Sequence, residues 1–322
     1  MARSQIAKPL LSQVPKRGRT CIATIMDERD GNLPLQEFLA KRWDHERIAK
    51  SLGLSEKQFV QRQTEASAQI AKAHPKWSRE AIGTALCFGY LTMDLREAVI
   101  ARRFTFDDPA ELGRGLSVNS RLRWLELLIA GQQHVDFDYF IEAFAVRDLA
   151  AVQRLADGEP VEVGTDSEFL DFCSSAVHAA YRKDLGALRS VIKKMRKRKL
   201  HPWMEGICTC LAGLAESEPA GIAQGLTQYV DATRAMRMKD ELEEAVELRA
   251  HGIYRLCEWM SPDLVAGTDV AQSLPWDAGF HAWSEAHPHP LAEVDLTGVS
   301  PVLHQAVVLL QPPTAWTTPS SE

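Results

Sequence analysis

The chain has 322 residues, 45% of them hydrophobic, and its 37 Lys and Arg against 43 Asp and Glu leave a formal net charge of −6. That content supports a substantial core, as one large domain or two closely packed ones, and excludes a disordered tail protein. No run reaches the roughly 18 apolar residues of a membrane span, and the basic N-terminal stretch has no apolar segment of the secretory kind, so a cytoplasmic location without a membrane partner is expected.

Residues 1–33 mix Pro, Gly and charge without period and read as an N-terminal extension. Helices are predicted from Pro34 onward. Leu35, Phe38, Leu39, Trp43 and Ile48 form one apolar pattern ending at Gly53. Ser55 caps a second helix through Phe59 and an Ala-rich run to Ala73, stopped by Pro75. A third starts at Ser78 and passes through Leu86 and Tyr90, with a break expected near Thr92, Met93 and Asp94 before Leu95 to Arg103. A glycine-rich turn, Gly113-Arg114-Gly115, then leads into a helix from Ser120 to Ala130. Residues 34–131 thus read as a helical bundle.

Residues 132–311 carry a weak internal repeat. Phe140, Ala143 and Phe144 precede Asp148-Leu149; Phe172, Ala176 and Ala180 precede Asp184-Leu185; Cys210 and Leu214 precede Glu218-Pro219. The anchors Asp148, Asp184 and Glu218 stand 36 and 34 residues apart. Each anchor is a helix start after a very short turn, which makes each repeat an antiparallel helix hairpin. The period is that of tetratricopeptide-like stacks, without their side-chain signature. The expected fold class is therefore all-α, a helical bundle continuing into stacked antiparallel hairpins.

The most strongly specified helix is predicted over Asp240 to Met260, closing the stack. Asp240 and Glu243 have capping-box spacing, and Leu242, Val246, Ile253, Leu256, Cys257 and Met260 recur at three- and four-residue steps on one stripe. Arg249 lies on that stripe, its stem suited to packing and its guanidinium to an edge carboxylate. Gly252 points to the close approach of a neighbouring helix, and Pro262 ends the element. Beyond it a short helix carries Phe280 and Trp283, an apolar stretch runs from Val299 to Leu310, and residues 312–322 read as a flexible tail.

No nucleotide-binding, nucleophile-elbow or zinc-protease signature is present. Cys208 and Cys210 project about 200° apart on a helix and do not face one ion. With the other four cysteines they read as reduced core thiols. His281, His287 and His289 lie around Pro288 without a nearby cysteine, and no metal is assigned to them. The basic run Lys193 to Lys199 reads as a solvated helix end whose cations complement the dipole. No catalytic, cofactor-binding or metal-ligating residue is expected.

Charge is divided unevenly: residues 131–322 carry 16 Lys and Arg against 28 Asp and Glu, a net of −12, whereas residues 1–130 carry +6. An acidic C-terminal part favours a basic partner and disfavours nucleic acid.

The stretch from Phe140 to Val152, the Asp184 hairpin, Gly206 to Val230, the helix from Glu243 to Met260, and Asp269 to Trp276 together resemble the Immunity protein 49 family of bacterial polymorphic-toxin systems, over roughly residues 80–290. The resemblance implies an all-α protein of the bacterial cytoplasm that binds and neutralises a cognate toxin domain by direct stoichiometric contact. It supplies no catalytic residues. Glu243, Glu244 and Glu247 on the exposed side of the Asp240 helix, with Asp263 and Asp269 beyond it, are the expected contacts with a basic toxin site. The alternative is a helical-repeat scaffold or regulator that binds another protein or peptide in its concave groove.

Overall fold

A computed structural model describes residues 10–71, 91–130, 136–156, 169–235, 242, 245–266, 268 and 274–309. Every regular element among them is helical. The N-terminal half contains α1 (Leu10–Gln13), α2 (Lys16–Glu28), α3 (Leu35–Arg42), α4 (His45–Ser51), α5 (Glu56–Ala71), α6 (Leu91–Phe106) and α7 (Pro109–Ala130). The extension expected over residues 1–33 thus contains two helices in its described part, and the longer, α2, is held because Ile22 and Ile25 share a face that is buried as it packs on α6. Pro15 precedes the first turn of α2, where a missing N–H costs nothing.

Local signals hold at the next two starts. Pro34 precedes α3. Ser55 begins α5 with a reciprocal cap: its Oγ accepts from the Gln58 amide at 3.3 Å, and its own amide donates to Gln58 Oε1 at 2.9 Å. The apolar pattern from Leu35 to Ile48 is divided, since α3 ends at Arg42 and α4 begins at His45. The helix expected from Ser78 lies outside the described residues up to Tyr90.

One expected interruption is absent, and another borders residues outside the described set. Thr92, Met93 and Asp94 lie in the first described turn of α6, which runs unbroken from Leu91 with Leu91 and Leu95 buried, and what precedes Leu91 lies outside the described residues. Gly113 and Gly115 lie within α7 and make room for neighbours: a Cβ on Gly113 would sit 1.7 Å from the Trp283 ring, and one on Gly115 would sit 2.2 Å from Val99. The glycines that suggested a turn are packing residues inside a helix.

The hairpins are α8 (Phe137–Ala145) with α9 (Leu149–Ala156), α10 (Phe169–Tyr181) with α11 (Leu185–Met195), and α12 (Pro202–Glu216) with α13 (Pro219–Ala235). One turn design recurs in all three. The residue before each anchor is left-handed, with φ of 56° at Arg147, 57° at Lys183 and 56° at Ser217. The anchor amide then reaches back along the preceding helix, Asp148 to the Ala143 carbonyl at 3.0 Å, Asp184 to Ala179 at 2.9 Å and Glu218 to Gly213 at 2.8 Å. These are the long bonds of Schellman C-caps, which satisfy carbonyls the helix leaves open. Asp148 and Asp184 also cap the following helix, accepting from Ala151 and Ala187 at 3.2 and 2.9 Å.

The first helices of the hairpins lie side by side. Phe140 stacks on His178 at 5.0 Å, Phe144 meets Tyr181 at 6.4 Å, and Phe169 meets Trp203 at 5.6 Å. The helix α14 (Leu248–Met260) lies against this row. Arg249 pairs with Asp138, Gly252 abuts Ile141 and Glu258 approaches Arg147, the same offset each time, so α14 runs parallel to α8. Trp259 stacks on Tyr181 at 5.6 Å, which extends the cover to α10. The face an open stack would offer as a groove is therefore occupied by a helix of the same chain. The predicted closing helix returns to the first hairpin instead of extending the third, and it begins at Leu248, since Leu242 and Ala245 lie in turns and Val246 and Glu247 are not helical.

The chain ends by rejoining the N-terminal half. A 3-10 turn (Pro262–Leu264) leads towards α15 (Ala278–Ala286), which Asp277 caps and which packs on α7. A second 3-10 turn (Pro290–Glu293), α16 (Pro301–His304) and a π turn (Gln305–Leu309) follow, the last two against α5. One apolar core runs through both halves, from Val14 to Val308. No described helix is long and apolar enough to cross a membrane.

Candidate interaction surface

Of the five acidic contacts expected from sequence, Glu247 and Asp263 are described and Glu243, Glu244 and Asp269 lie outside the described residues. Glu247 is not on an outer face. It is 1% exposed, its side chain accepts from the Arg249 amide at 3.1 Å, and its own amide donates to the Pro275 carbonyl at 2.9 Å. It is the N-cap of α14, and burial at that cap removes it from any partner contact. Asp263 is exposed in the 3-10 turn after α14.

Arg249 behaves as its position on the stripe implied. Its Nε and Nη2 donate to the two Asp138 oxygens at 2.6 and 2.9 Å, a planar fork matched to a carboxylate. Burial pushes the Asp138 carboxyl up, but the Arg249 hydrogen bonds and charge outweigh it and hold the group below the usual carboxylate value.

A second charged cluster joins α14 to α15. Arg255 is fully buried and donates to Ser284 Oγ at 2.8 Å, the His281 carbonyl at 3.1 Å and Glu258 Oε2 at 3.1 Å. His251 stacks on Trp276 at 4.0 Å, and its Nε2 accepts from the Asp277 amide. Burial, then the Arg255 charge, lowers His251 to about 3. Burial and the charges of Arg255, His251 and Arg147 lower His281 to about 2. Both rings are neutral at pH 7 and serve as packing groups. His287 instead stacks on Trp283 at 4.7 Å, so the three histidines near Pro288 do not converge. Among the described residues no group of His, Cys, Asp and Glu is arranged to hold a metal.

A concave surface lies between the second and third hairpins. Leu188, Ile192 and Met195 turn one face of α11 inward, which leaves Arg189, Lys193 and Arg196 on the other side. Opposite, α12 and α13 are pressed together by small residues: a Cβ on Gly225 would lie 2.2 Å from the Cys210 amide nitrogen, and one on Gly213 would lie 2.6 Å from that of Ile222. Between them and α11 runs a cleft of ≈360 Å³, floored by Ile192, Ala212 and Gly213 and closed on the far side by Glu216, Glu218 and Gln224. Arg189 spans one end, donating to Glu216 at 3.1 Å and to the Ala215 carbonyl at 2.9 Å.

The basic run continues this wall. Lys193, Lys194, Arg196, Lys197, Arg198 and Lys199 are all exposed while Met195 between them is fully buried, so Met195 anchors the end of α11, with Arg198 lying over the Phe172 ring at 5.9 Å. Sequence reading located the run and its helix-end position. It missed the cleft beside it, because Ala212, Gly213 and Gln224 carry no signal until α12 and α13 are packed.

Four of the six cysteines are buried core groups as expected, and Cys87 lies outside the described residues. Cys21, Cys173, Cys208, Cys210 and Cys257 are free thiols, all buried except the partly exposed Cys21. Cys208 lies beside Arg196, whereas Cys210 on the other side of α12 hydrogen-bonds Cys257 of α14. No protein family, curated protein or solved structure matches this chain.

Proposed function

We propose that this all-α chain acts by stoichiometric contact with another protein, as an immunity-type inhibitor that binds and neutralises a cognate toxin domain in the bacterial cytoplasm. The observation that carries the reading is the triple recurrence of one hairpin turn, at Arg147, Lys183 and Ser217. It stacks successive hairpins, an architecture whose exposed faces serve as protein-binding surfaces, and with α14 laid over the first helices the remaining faces, among them the one between α11 and α12–α13, are the ones a partner would meet. The resemblance of Phe140 to Trp276 to an immunity family supplies the class of partner. The net −12 of residues 131–322 would speed the approach of a basic toxin site, with Asp263 an exposed part of that field.

A second reading, a scaffold or regulator that takes up a peptide, draws on the cleft between α11 and α13. Co-expression with a toxic domain encoded beside this gene, followed by purification and titration, separates the two. A stable complex at a fixed ratio, with growth restored, is the expected outcome. Restored growth without a complex would reject direct binding.

A further inference from the structure

We infer that the cleft between α11 and the α12–α13 hairpin, with the basic end of α11, docks an acidic segment of a partner protein. This rests on the reading that the chain works by binding a protein, and it adds the surface and the chemistry of what sits there. It also reverses the expected polarity, since the described contact is basic within an acidic half.

Charge and shape carry the argument together. Six cations from Lys193 to Lys199 stand exposed on one short arc, although residues 131–322 as a whole carry −12. A solvated helix end needs only one or two cations to complement its dipole. Arg198 lies over the Phe172 ring and Arg196 against Cys208, while Lys193, Lys194, Lys197 and Lys199 repel one another, and an anionic partner relieves that repulsion. Arg189 is already held by Glu216, so the attraction is directed to the Lys193 end of the cleft.

The cleft selects a polypeptide over a nucleic acid. Its lining mixes Ile192 and Ala212 with Glu216 and Glu218, and those carboxylates would repel a continuous phosphate backbone but leave room for a segment that holds its own carboxylates at the Lys193 edge and lays an apolar side chain over Ile192 and Ala212.

The test is fluorescence anisotropy at low salt with a labelled peptide alternating glutamate and leucine, on the full chain. Binding that weakens as salt is added is expected. Lys193→Glu with Lys197→Glu should weaken it on the order of tenfold. Gln224→Trp, which fills the cleft without changing charge, should weaken it similarly, with circular dichroism unchanged in both variants. Oligothymidylate should fail to displace the peptide from the unaltered protein, a comparison that holds even if a variant misfolds. No binding, equal displacement by oligothymidylate, or indifference to Gln224→Trp in a folded variant would each overturn the docking site. A toxin complex indifferent to the two lysine substitutions would discard this surface while keeping the inhibitor reading. Peptide binding without any toxin complex would keep the surface and remove the inhibitor.

Discussion

Gly252 of α14 lies directly against Ile141 of α8: a Cβ on Gly252 would sit 2.1 Å from the Ile141 carbonyl oxygen and 2.4 Å from its Cγ2. The two helices meet nearly backbone to backbone, and the contact sets the height at which α14 covers the hairpin row. Gly252→Ala gains about 1 kcal/mol of helix propensity but must push α14 outward, for which overpacking costs of about 1–3 kcal/mol are the lower guide. A net loss of about 2 kcal/mol in urea unfolding is expected. Gly186→Ala, on the exposed face of α11 with only Asp184 Oδ1 at 3.4 Å, should instead gain about 0.5–1 kcal/mol.

The repeat offers a matched pair of caps with different surroundings. Asp184 caps α11 at the surface, so Asp184→Ala should cost about 1 kcal/mol. Asp148 caps α9 and also holds the buried Arg121 through both of its oxygens. Asp148→Ala leaves that guanidinium without its carboxylate inside the core, and a loss of about 3–5 kcal/mol is expected. Equal losses at the two sites in chemical denaturation would contradict the distinction.

Stability should fall as acid is added, from near neutral pH downward. His178 is lowered to about 4 by burial and Arg182, and His251 and His281 to about 3 and about 2, from an ordinary value of 6.5. Below about 6.5 the unfolded chain binds protons that the folded chain refuses, so the stability present above that pH is lost as pH falls towards the folded values. The limit is about 1.4 kcal/mol per pH unit for each group. The melting temperature should drop from pH 7 to pH 5, and His251→Gln should flatten that dependence. A profile level across this range would refute the assignment.

Thiol reactivity should divide the cysteines. Burial raises the thiols of Cys173 and Cys208, and the hydrogen bond to Cys257, with burial, raises that of Cys210. With an aromatic disulfide reagent, Cys21 should react in the native protein. Cys173, Cys208, Cys210 and Cys257 should react only after unfolding, which should expose six thiols in all without reductant. A shortfall would mean that a disulfide had formed.

Much of the fold was legible because its signals are local. A helix and its caps are stabilised within one or two turns, so Pro34, Ser55, Asp184 and Pro262 announce the same boundaries in the sequence as in space. The hairpin period was also readable, since the spacing of Asp148, Asp184 and Glu218 repeats one short turn. Gly252 foretold a close helix, and Arg249 on the apolar stripe foretold a carboxylate at its edge. What the tertiary structure alone decided is which surfaces remain. Glu247 belongs to the same acidic stretch as Glu243 and Glu244, yet a cap and the Pro275 carbonyl bury it. Gly113 and Gly115 read as a turn until Trp283, far along the chain, takes the space they leave. The cleft beside Lys193 exists only because Gly213 and Gly225 let α12 and α13 approach while α11 stands apart. Local energies choose the helices, but exposure is set by long-range packing, and a partner meets only what that packing leaves uncovered.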